Sequence, residues 1–235
     1  MSIKCVLFDL DGTLLPMDQD VFTKSYFGLL AKKLIPFGYD GEKLVSAIGM
    51  GIKSMVKNDG TFTNKEVFWK IFAGILGEKV YEDMPLFDAF YRNEFKGVKE
   101  VCGYTAKAAE VVQAVKDKGL RVGLATNPLF PKEATAQRIE WAGLAPEDFE
   151  FYTTYDNSCH CKPNLDYYRD ILKLLSLEPN ECLMVGNDVA EDMITRELGM
   201  SVFLLTDCLI NRKSNDISVY PHGNFDDLLA FIQEL

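Results

Sequence analysis

The first residues whose types and spacing could do chemistry are Asp9 and Asp11, which stand two positions apart near the start of the 235-residue chain. A carboxylate can attack phosphorus and form an aspartyl-phosphate, which divides a hydrolysis into two easier steps. A second carboxyl group can protonate the leaving oxygen and later deprotonate water. Gly12 allows a tight turn after the pair, and we count it among the substrate-contacting residues. Taken alone, the same residues could be a solvated strand end followed by a turn.

Further polar residues that suit phosphate binding come later in the chain. Thr126 and Asn127 offer a hydroxyl group and amide donors for phosphoryl oxygens, although they could equally form a helix cap or a turn before Pro128. Lys162 is a point charge suited to phosphate or to holding the Asp9 carboxylate. A lone lysine before a proline is more often a solvated loop residue, so its interpretation depends on its place in the series.

Two acidic residues near position 190 are candidates for binding a metal ion. Asp188 and Asp192 supply hard oxygen ligands, and Mg²⁺ favours a few carboxylates, several waters and a substrate phosphate over an all-protein cage. Such an ion would reduce the repulsion between an anionic nucleophile and an anionic substrate. The same residues could serve as the N-cap and a first-turn acid of the following helix, and both roles are compatible.

The hydrophobic pattern predicts the elements that position these residues. Short apolar runs predict buried strands, and helices of about ten residues or more separate most of them. The predicted strands cover 3–8, 121–126, 149–154, 182–186 and 201–205. Strands that alternate with helices in this way predict an α/β fold, a Rossmann-like parallel sheet with helices on both faces.

A helical segment interrupts this alternation after the first strand. Apolar residues at helical spacing predict a small bundle, in which a helix at 43–57 is interrupted by Gly49 and Gly51 and another begins at Thr63 with Glu66 completing a capping box. We therefore predict a small α-helical cap domain. The predicted domains are a core of 1–16 and 97–235 and a helical insertion of 17–96.

The order of the predicted strands brings the polar residues together. In open parallel sheets, ligands bind at the carboxyl ends of the strands. The first strand ends at Asp9, the second at Thr126, and the fourth at Gly186 just before Asp188, while Lys162 lies in the loop after the third. The sequence therefore predicts one shared site at this edge of the sheet.

The composition limits the expected partners. The formal net charge is −10, and the chain has no cluster of lysine and arginine, which argues against a nucleic-acid partner. No apolar segment reaches the roughly 18–20 residues of a membrane span, and the run 6–8 is too short for a signal peptide. We expect a cytoplasmic monomer or homodimer that acts on a small phosphorylated molecule and binds no membrane. The six cysteines require no disulfide framework, and 159–161 lacks the spacing of a zinc site.

These elements, in this order, resemble the haloacid dehalogenase-like superfamily over nearly the whole chain. The motifs that carry the resemblance are 9–13, 126–127, Lys162 and 186–192. The resemblance implies a Rossmann-like core, a helical cap that selects the substrate, and a magnesium-dependent phosphoaspartate mechanism. An acid at position 11 points to phosphoryl transfer, because the dehalogenating branch usually lacks one there.

The resemblance also implies roles for individual residues. Asp9 would be the nucleophile, Asp11 the general acid/base, and Thr126, Asn127 and Lys162 would hold the phosphoryl group.

The magnesium ion would be held at Asp9, at the backbone carbonyl of Asp11 and at an acid of the last motif. The family commonly has aspartate directly after the motif's glycine, whereas Asn187 stands there in this chain. We therefore predict Asp188 as the first choice of ligand and Asp192 as the second.

Two other functions remain open on the sequence. A phosphomutase of the same family would pass its phosphoryl group to a sugar instead of to water. A non-catalytic binding protein on the same fold would have been favoured by loss of Asp9 or Lys162, and both are present. A Rossmann-type nucleotide binder is disfavoured because the first turn is acidic and has no G-x-G-x-x-G motif.

Overall fold

A five-stranded parallel sheet lies at the centre of the structure, a computed structural model that describes residues 2–235. The strands lie in the order β2-β1-β3-β4-β5, and all four pairings are parallel. Their bounds are β1 Cys5–Phe8, β2 Arg121–Leu124, β3 Cys182–Gly186, β4 Ser201–Leu205 and β5 His222–Gly223. The predicted fold class, a Rossmann-like α/β fold, is confirmed.

The two central strands, β1 and β3, are buried along their whole length. This explains their continuous apolar sequences, because a strand covered on both faces has no solvent side to make polar. Phe8, the last residue of β1, pairs with Leu124 on one side and Val185 on the other. The three strands therefore end almost level, and the residues that follow them emerge at the same edge of the sheet.

Helices cover both faces of the sheet, as predicted. Val6 and Phe8 belong to the hydrophobic cluster on one face, whereas Cys5 and Leu7 belong to the cluster on the other, because successive strand side chains point to opposite faces. Buried residues of α6, α7 and α9 join the first cluster, and those of α8 join the second. These helices are α6 Lys107–Asp117, α7 Lys132–Trp141, α8 Leu165–Leu175 and α9 Phe225–Glu234.

Five α-helices lie in the chain between β1 and α6. They are α1 Gln19–Leu34, α2 Gly41–Val56, α3 Asn64–Leu76, α4 Lys79–Glu82 and α5 Met84–Arg92, and a 3₁₀ helix at Glu94–Val101 follows them. Thr63 caps α3 in a reciprocal capping box with Glu66, which confirms that prediction. Edge-to-face contacts among Trp69, Phe72 and Phe87, with ring centroids 5.2–5.5 Å apart, join α3 to α5.

Three local predictions differ from the structure. Helix α2 runs unbroken through Gly49 and Gly51, so the predicted interruption is wrong. A side chain at Gly51 would overlap the Phe68 ring of α3, so this glycine permits close helix packing and does not break the helix.

The other two differences concern weak elements near the site. The segment 149–154, predicted to be a strand, pairs with β2 through one isolated parallel bridge, between Leu124 and Tyr152. The helix that the sequence predicts after Asp188 is a 3₁₀ helix over Met193–Leu198, and its start is delayed because the Asp188 and Asp192 side chains accept backbone hydrogen bonds within the preceding turn. Within residues 2–235, no helix has both the length and the apolar character needed to cross a bilayer.

Candidate active site

The loop after β1 positions the two aspartates of the first motif. The Asp9 amide continues the sheet by donating to the Val185 carbonyl at 2.9 Å, and the chain then turns back so that the Leu15 amide reaches the Leu10 carbonyl at 2.8 Å. Gly12 has φ +87°, and a side chain there would overlap the Asn187 amide group. Both observations require glycine at this position. They give Gly12 a structural role in the turn, and its predicted contact with the substrate stays a prediction.

Lys162 lies at the centre of the site and is almost completely buried. Its Nζ donates to Asp9 Oδ1 at 2.8 Å and to Asp192 Oδ1 at 2.6 Å. Burial opposes the positive charge of Lys162, but the carboxylates of Asp192 and Asp9 raise its pKa well above the usual value. Lys162 is therefore charged, and it links residues of three separate segments.

Asp192 is a buried carboxyl group whose two oxygens both have protein partners. Oδ1 accepts from Lys162, and Oδ2 accepts from the Asp188 amide at 3.0 Å. Burial raises the pKa of Asp192 to about 7, although Lys162 acts in the opposite direction. Burial therefore favours the neutral form of Asp192 at moderate pH.

Asp188 is less buried and caps the turn that follows β3. Its Oδ1 accepts from the amides of Ala190 at 2.7 Å and Glu191 at 3.0 Å. The capping role that the sequence allowed for Asp188 is therefore present. Among residues 2–235, no three histidine, cysteine, aspartate or glutamate side chains lie close enough together to hold a metal ion by themselves.

Thr13 and Asn187 complete the surroundings of Asp9, and the sequence reasoning gave neither of them a role. The Thr13 hydroxyl lies 3.0 Å from Asp9 Oδ2 and 3.0 Å from Asn187 Oδ1, and Asn187 Nδ2 donates to the Cys208 carbonyl at 2.7 Å. Asn187 stands where the family commonly has aspartate, and its amide can donate as well as accept. The presence of Thr13 in the first motif was the available signal for its role.

Asp11 contacts Arg138, a residue that sequence reasoning missed. The Arg138 guanidinium is completely buried, and its Nη1 forms an ion pair with Asp11 Oδ2. It also lies over the Phe130 ring at 4.4 Å. Burial raises the pKa of Asp11 and the negative charge of Asp9 adds to this, while Arg138 acts against both. Arginine is mostly an exposed residue in proteins, so the sequence offered no signal here.

The loop after β2 places Thr126 and Asn127 beside the carboxylates. The Thr126 carbonyl accepts from Thr153 Oγ1 at 2.6 Å and from the Tyr167 hydroxyl at 2.8 Å, which fixes the loop. Asn127 Nδ2 donates to Glu191 Oε2 at 3.0 Å, while its Oδ1 is buried without a protein partner. Burial raises the pKa of Glu191, a further acidic residue that the sequence reasoning did not select.

Five of the predicted residues fall into two adjoining groups. Asp9, Lys162 and Asp192 form one hydrogen-bonded cluster. Asp11 and Asn127, together with Glu191, line a pocket of about 310 Å³ beside it. Asp188 meets the first group only through its backbone amide, and no hydrogen bond joins its side chain to the other predicted site residues in the part of the chain that the structure describes.

Comparison with known proteins gives the family to which this arrangement corresponds. Residues 3–195 match the family of haloacid dehalogenase-like hydrolases. The chain belongs to this family. It is 25% identical over 197 residues to the pyrophosphatase PpaX of Bacillus velezensis, which covers 84% of this chain and 80% of that protein.

Solved structures share the fold over nearly the whole chain. A HAD phosphatase from Thermococcus onnurineus superposes with a TM-score of 0.59 at 19% identity and covers 98% of both chains. The HAD hydrolase YfnB of Bacillus subtilis, in a magnesium-bound form, superposes with a TM-score of 0.57 at 15% identity and covers 99% of both chains. At these identities the likeness establishes the fold alone. The predicted family and hydrolase class are confirmed, and the family match supports a phosphate hydrolase.

Proposed function

We propose that this chain is a magnesium-dependent phosphohydrolase that acts on a small phosphorylated metabolite through an aspartyl-phosphate at Asp9. The observation that carries the proposal is the contact between Lys162 Nζ and Asp9 Oδ1 at 2.8 Å. A buried ammonium group keeps the carboxylate oriented, and it offers a positive charge to an incoming phosphoryl group. Thr126 and Asn127 would hold the phosphoryl oxygens with Lys162.

The reaction would proceed in two steps on these residues. An oxygen of Asp9 forms a bond to phosphorus while the bond from phosphorus to the ester oxygen breaks, and Asp11 gives its proton to the leaving oxygen. Asp11 then takes a proton from water as the water oxygen attacks phosphorus, which releases phosphate and restores Asp9. The raised pKa of Asp11 suits the first step, since a proton donor must retain its proton near neutral pH.

The oxygen-rich edge of this site suits magnesium as a cofactor. Asp11 Oδ1 is buried without a hydrogen-bond partner, and Asp9 stands beside it, so hard acceptors face the region where an ion would lie. Asp9, the Asp11 carbonyl and Asp188 would hold Mg²⁺ there, with Asp192 as the alternative to Asp188. Bound Mg²⁺ would reduce the repulsion between the Asp9 carboxylate and the substrate phosphate.

Helices α1 to α5 would act as the cap over this site. We propose bounds of 17–96 for this insertion and of 1–16 with 97–235 for the catalytic core. Phe22, Tyr26 and Ile52 of the insertion line the same pocket as Asp11 and Asn127, which is the arrangement a substrate-selecting cap requires.

The test is turnover of p-nitrophenyl phosphate with and without Mg²⁺. Asp9→Asn should abolish turnover while the thermal unfolding temperature stays within a few degrees of the wild type. The matched control is Asp117→Asn, an exposed aspartate of α6, which should retain full activity. Near-wild-type turnover by Asp9→Asn would refute the nucleophile, and wild-type turnover that persists in excess EDTA would refute the magnesium requirement. An isomerised sugar phosphate formed without free phosphate would identify a mutase.

A further inference from the structure

The pocket beside the two carboxylates is lined mainly by apolar and aromatic side chains. We call the three lining residues that follow the strands, Asp11, Asn127 and Glu191, its floor. Its volume is about 310 Å³, which is the size of a small-molecule site. The apolar residues of the walls are Met17, Phe22, Tyr26, Phe27, Ile52, Leu129 and Phe130. The part of a substrate that lies beyond the phosphoryl group would therefore meet hydrocarbon and aromatic surface.

The aromatic walls are packed against one another. The rings of Tyr26 and Phe130 have centroids 5.3 Å apart, and those of Phe22 and Phe130 are 6.0 Å apart, each pair edge to face. The Tyr26 hydroxyl forms a hydrogen bond with the Tyr91 hydroxyl at 2.8 Å, so the polar group of Tyr26 already has a protein partner. These contacts make the pocket shape largely preformed, which suits recognition of a flat ring.

The charges around the pocket are unfavourable to a second anionic group. Of the described residues that line it, none is lysine, arginine or histidine, and the two ionisable side chains of its floor are acids. The nearby Arg138 guanidinium is completely buried, lies over the Phe130 ring and is paired with Asp11. A carboxylate or a second phosphate placed here would meet acidic side chains and no cationic side chain of the lining.

We propose that the substrate is a phosphate monoester whose leaving group is uncharged and largely apolar, with an aromatic ring as the best fit. This inference rests on the proposed function, since it assigns the pocket to the leaving group. The polar side chains Gln19 and Thr23 also line the pocket and could bind a neutral polar substituent. A pyrophosphate, by contrast, would have to place its second phosphate against Asp11 and Glu191.

The first test compares three substrates with the same wild-type enzyme in Mg²⁺. Benzyl phosphate and 2-phosphoglycolate are both esters of primary alcohols of similar acidity, and pyrophosphate supplies a charged leaving group. The kcat/KM for benzyl phosphate should exceed that for each of the others by about tenfold or more. A higher kcat/KM for 2-phosphoglycolate or pyrophosphate would overturn the substrate class while leaving the phosphohydrolase proposal intact.

The second test does not need catalysis. Binding of benzylphosphonate and phosphonoacetate to the wild type and to Asp9→Asn is measured by calorimetry. Benzylphosphonate should bind at least about tenfold more tightly. Equal or tighter binding of phosphonoacetate would overturn the proposal even if no ester is hydrolysed. Absence of turnover together with the expected preference would instead count against the proposed function alone.

The third test places a cation in the pocket. Thr23→Lys on α1 adds an ammonium group at the rim, where the side chain is exposed and tolerates lysine. The ratio of the affinity for benzylphosphonate to the affinity for phosphonoacetate should fall by about tenfold, since the carboxylate of phosphonoacetate would gain a cationic partner. Val21→Lys adds the same charge to the same helix at a residue that is 47% exposed and lies outside the pocket lining. An equal effect of both variants would show that the pocket does not select the leaving group.

Discussion

The guanidinium of Arg138 and the carboxylate of Asp11 form an ion pair, and the arginine is completely buried. The other nitrogens of Arg138 donate to the Ala134 carbonyl and to Thr135 Oγ1, each at 3.3 Å, so α7 itself holds the guanidinium in place. Arg138 therefore holds Asp11 at a fixed position at the floor of the pocket. It also opposes the effect of burial on the Asp11 pKa.

Replacing Arg138 by glutamine should change the pH dependence of catalysis. The pKa of Asp11 is already raised by burial, and loss of the guanidinium removes the main opposing effect, so the pKa rises further. Asp11 then keeps its proton to higher pH, and the alkaline limb of the kcat/KM profile should move to higher pH. The second step needs ionised Asp11, so phosphoenzyme should accumulate near neutral pH, which rapid-quench measurements can detect.

Two variants control for the Arg138 result. Arg169→Gln removes an exposed arginine that pairs with Asp166 and should leave the profile unchanged. Arg138→Lys keeps a positive charge and should restore part of the pH profile even if its stability is reduced. An unshifted alkaline limb in a folded Arg138→Gln enzyme would contradict the assignment of Asp11 as the titrating acid.

Replacing Lys162 by methionine should destabilise the fold as well as abolish activity. The variant leaves Asp9 and Asp192 buried without their shared cation, which we expect to lower the free energy of unfolding by about 3–5 kcal/mol. Without the Lys162 ammonium group, burial raises the pKa of Asp192 in the folded variant further. A carboxyl pKa that is higher in the folded than in the unfolded state makes the free energy of unfolding fall as pH rises. The difference in that free energy between wild type and variant, measured by urea unfolding, should therefore be larger at pH 8 than at pH 5.

The Lys162 prediction has a matched control and a rescue. Lys173→Met removes an exposed lysine of α8 and should change stability by less than about 0.5 kcal/mol. Adding Asp192→Asn to Lys162→Met removes one of the two unpaired charges and should recover part of the lost stability. Strictly additive losses in the double variant would argue against the charge explanation.

A pair of glycine substitutions tests the turn after Asp9. Gly12→Ala places a side chain at a residue with positive φ, where it would overlap Asn187. It should therefore lower the free energy of unfolding by about 1–3 kcal/mol and reduce activity strongly. Gly28→Ala lies in α1 with open space around it and should stabilise the protein by up to about 1 kcal/mol through helix propensity. Thermal and urea unfolding of both variants give the comparison, and a neutral Gly12→Ala would show that the turn is not constrained.

Asparagine substitutions should separate the two candidate magnesium ligands. Both oxygens of Asp192 already have protein partners, whereas Asp188 uses one oxygen for two cap bonds. Asp188→Asn should therefore raise the Mg²⁺ concentration for half-maximal activity about tenfold or more, while Asp192→Asn should mainly change stability. Asp207→Asn, at an exposed site, is the control. The reverse pattern would make Asp192 the ligand.

The sequence by itself determined the fold class and predicted the edge of the sheet at which the candidate site lies. Continuous apolar runs predicted β1 and β3, and the rule that parallel strands bring ligands to their carboxyl ends placed Asp9, Thr126 and Lys162 at one edge. The contact between Asp9 and Lys162, 153 positions apart, agrees with one of the two roles that the sequence suggested for Lys162, that of holding the Asp9 carboxylate. The strands and the edge of the sheet could be predicted because they depend on the local spacing of apolar residues and on the alternation of strands and helices along the chain.

Only the tertiary structure decided which side chains surround those residues. Arg138 meets Asp11 across 127 positions because of how α7 packs against the sheet, and Thr13 meets Asn187 because two loops turn towards each other. Likewise, Gly51 continues a helix because a neighbouring helix lies close against it. Contacts of this kind depend on the distance and rotation between packed elements, and the local spacing of residues along the chain does not encode these quantities.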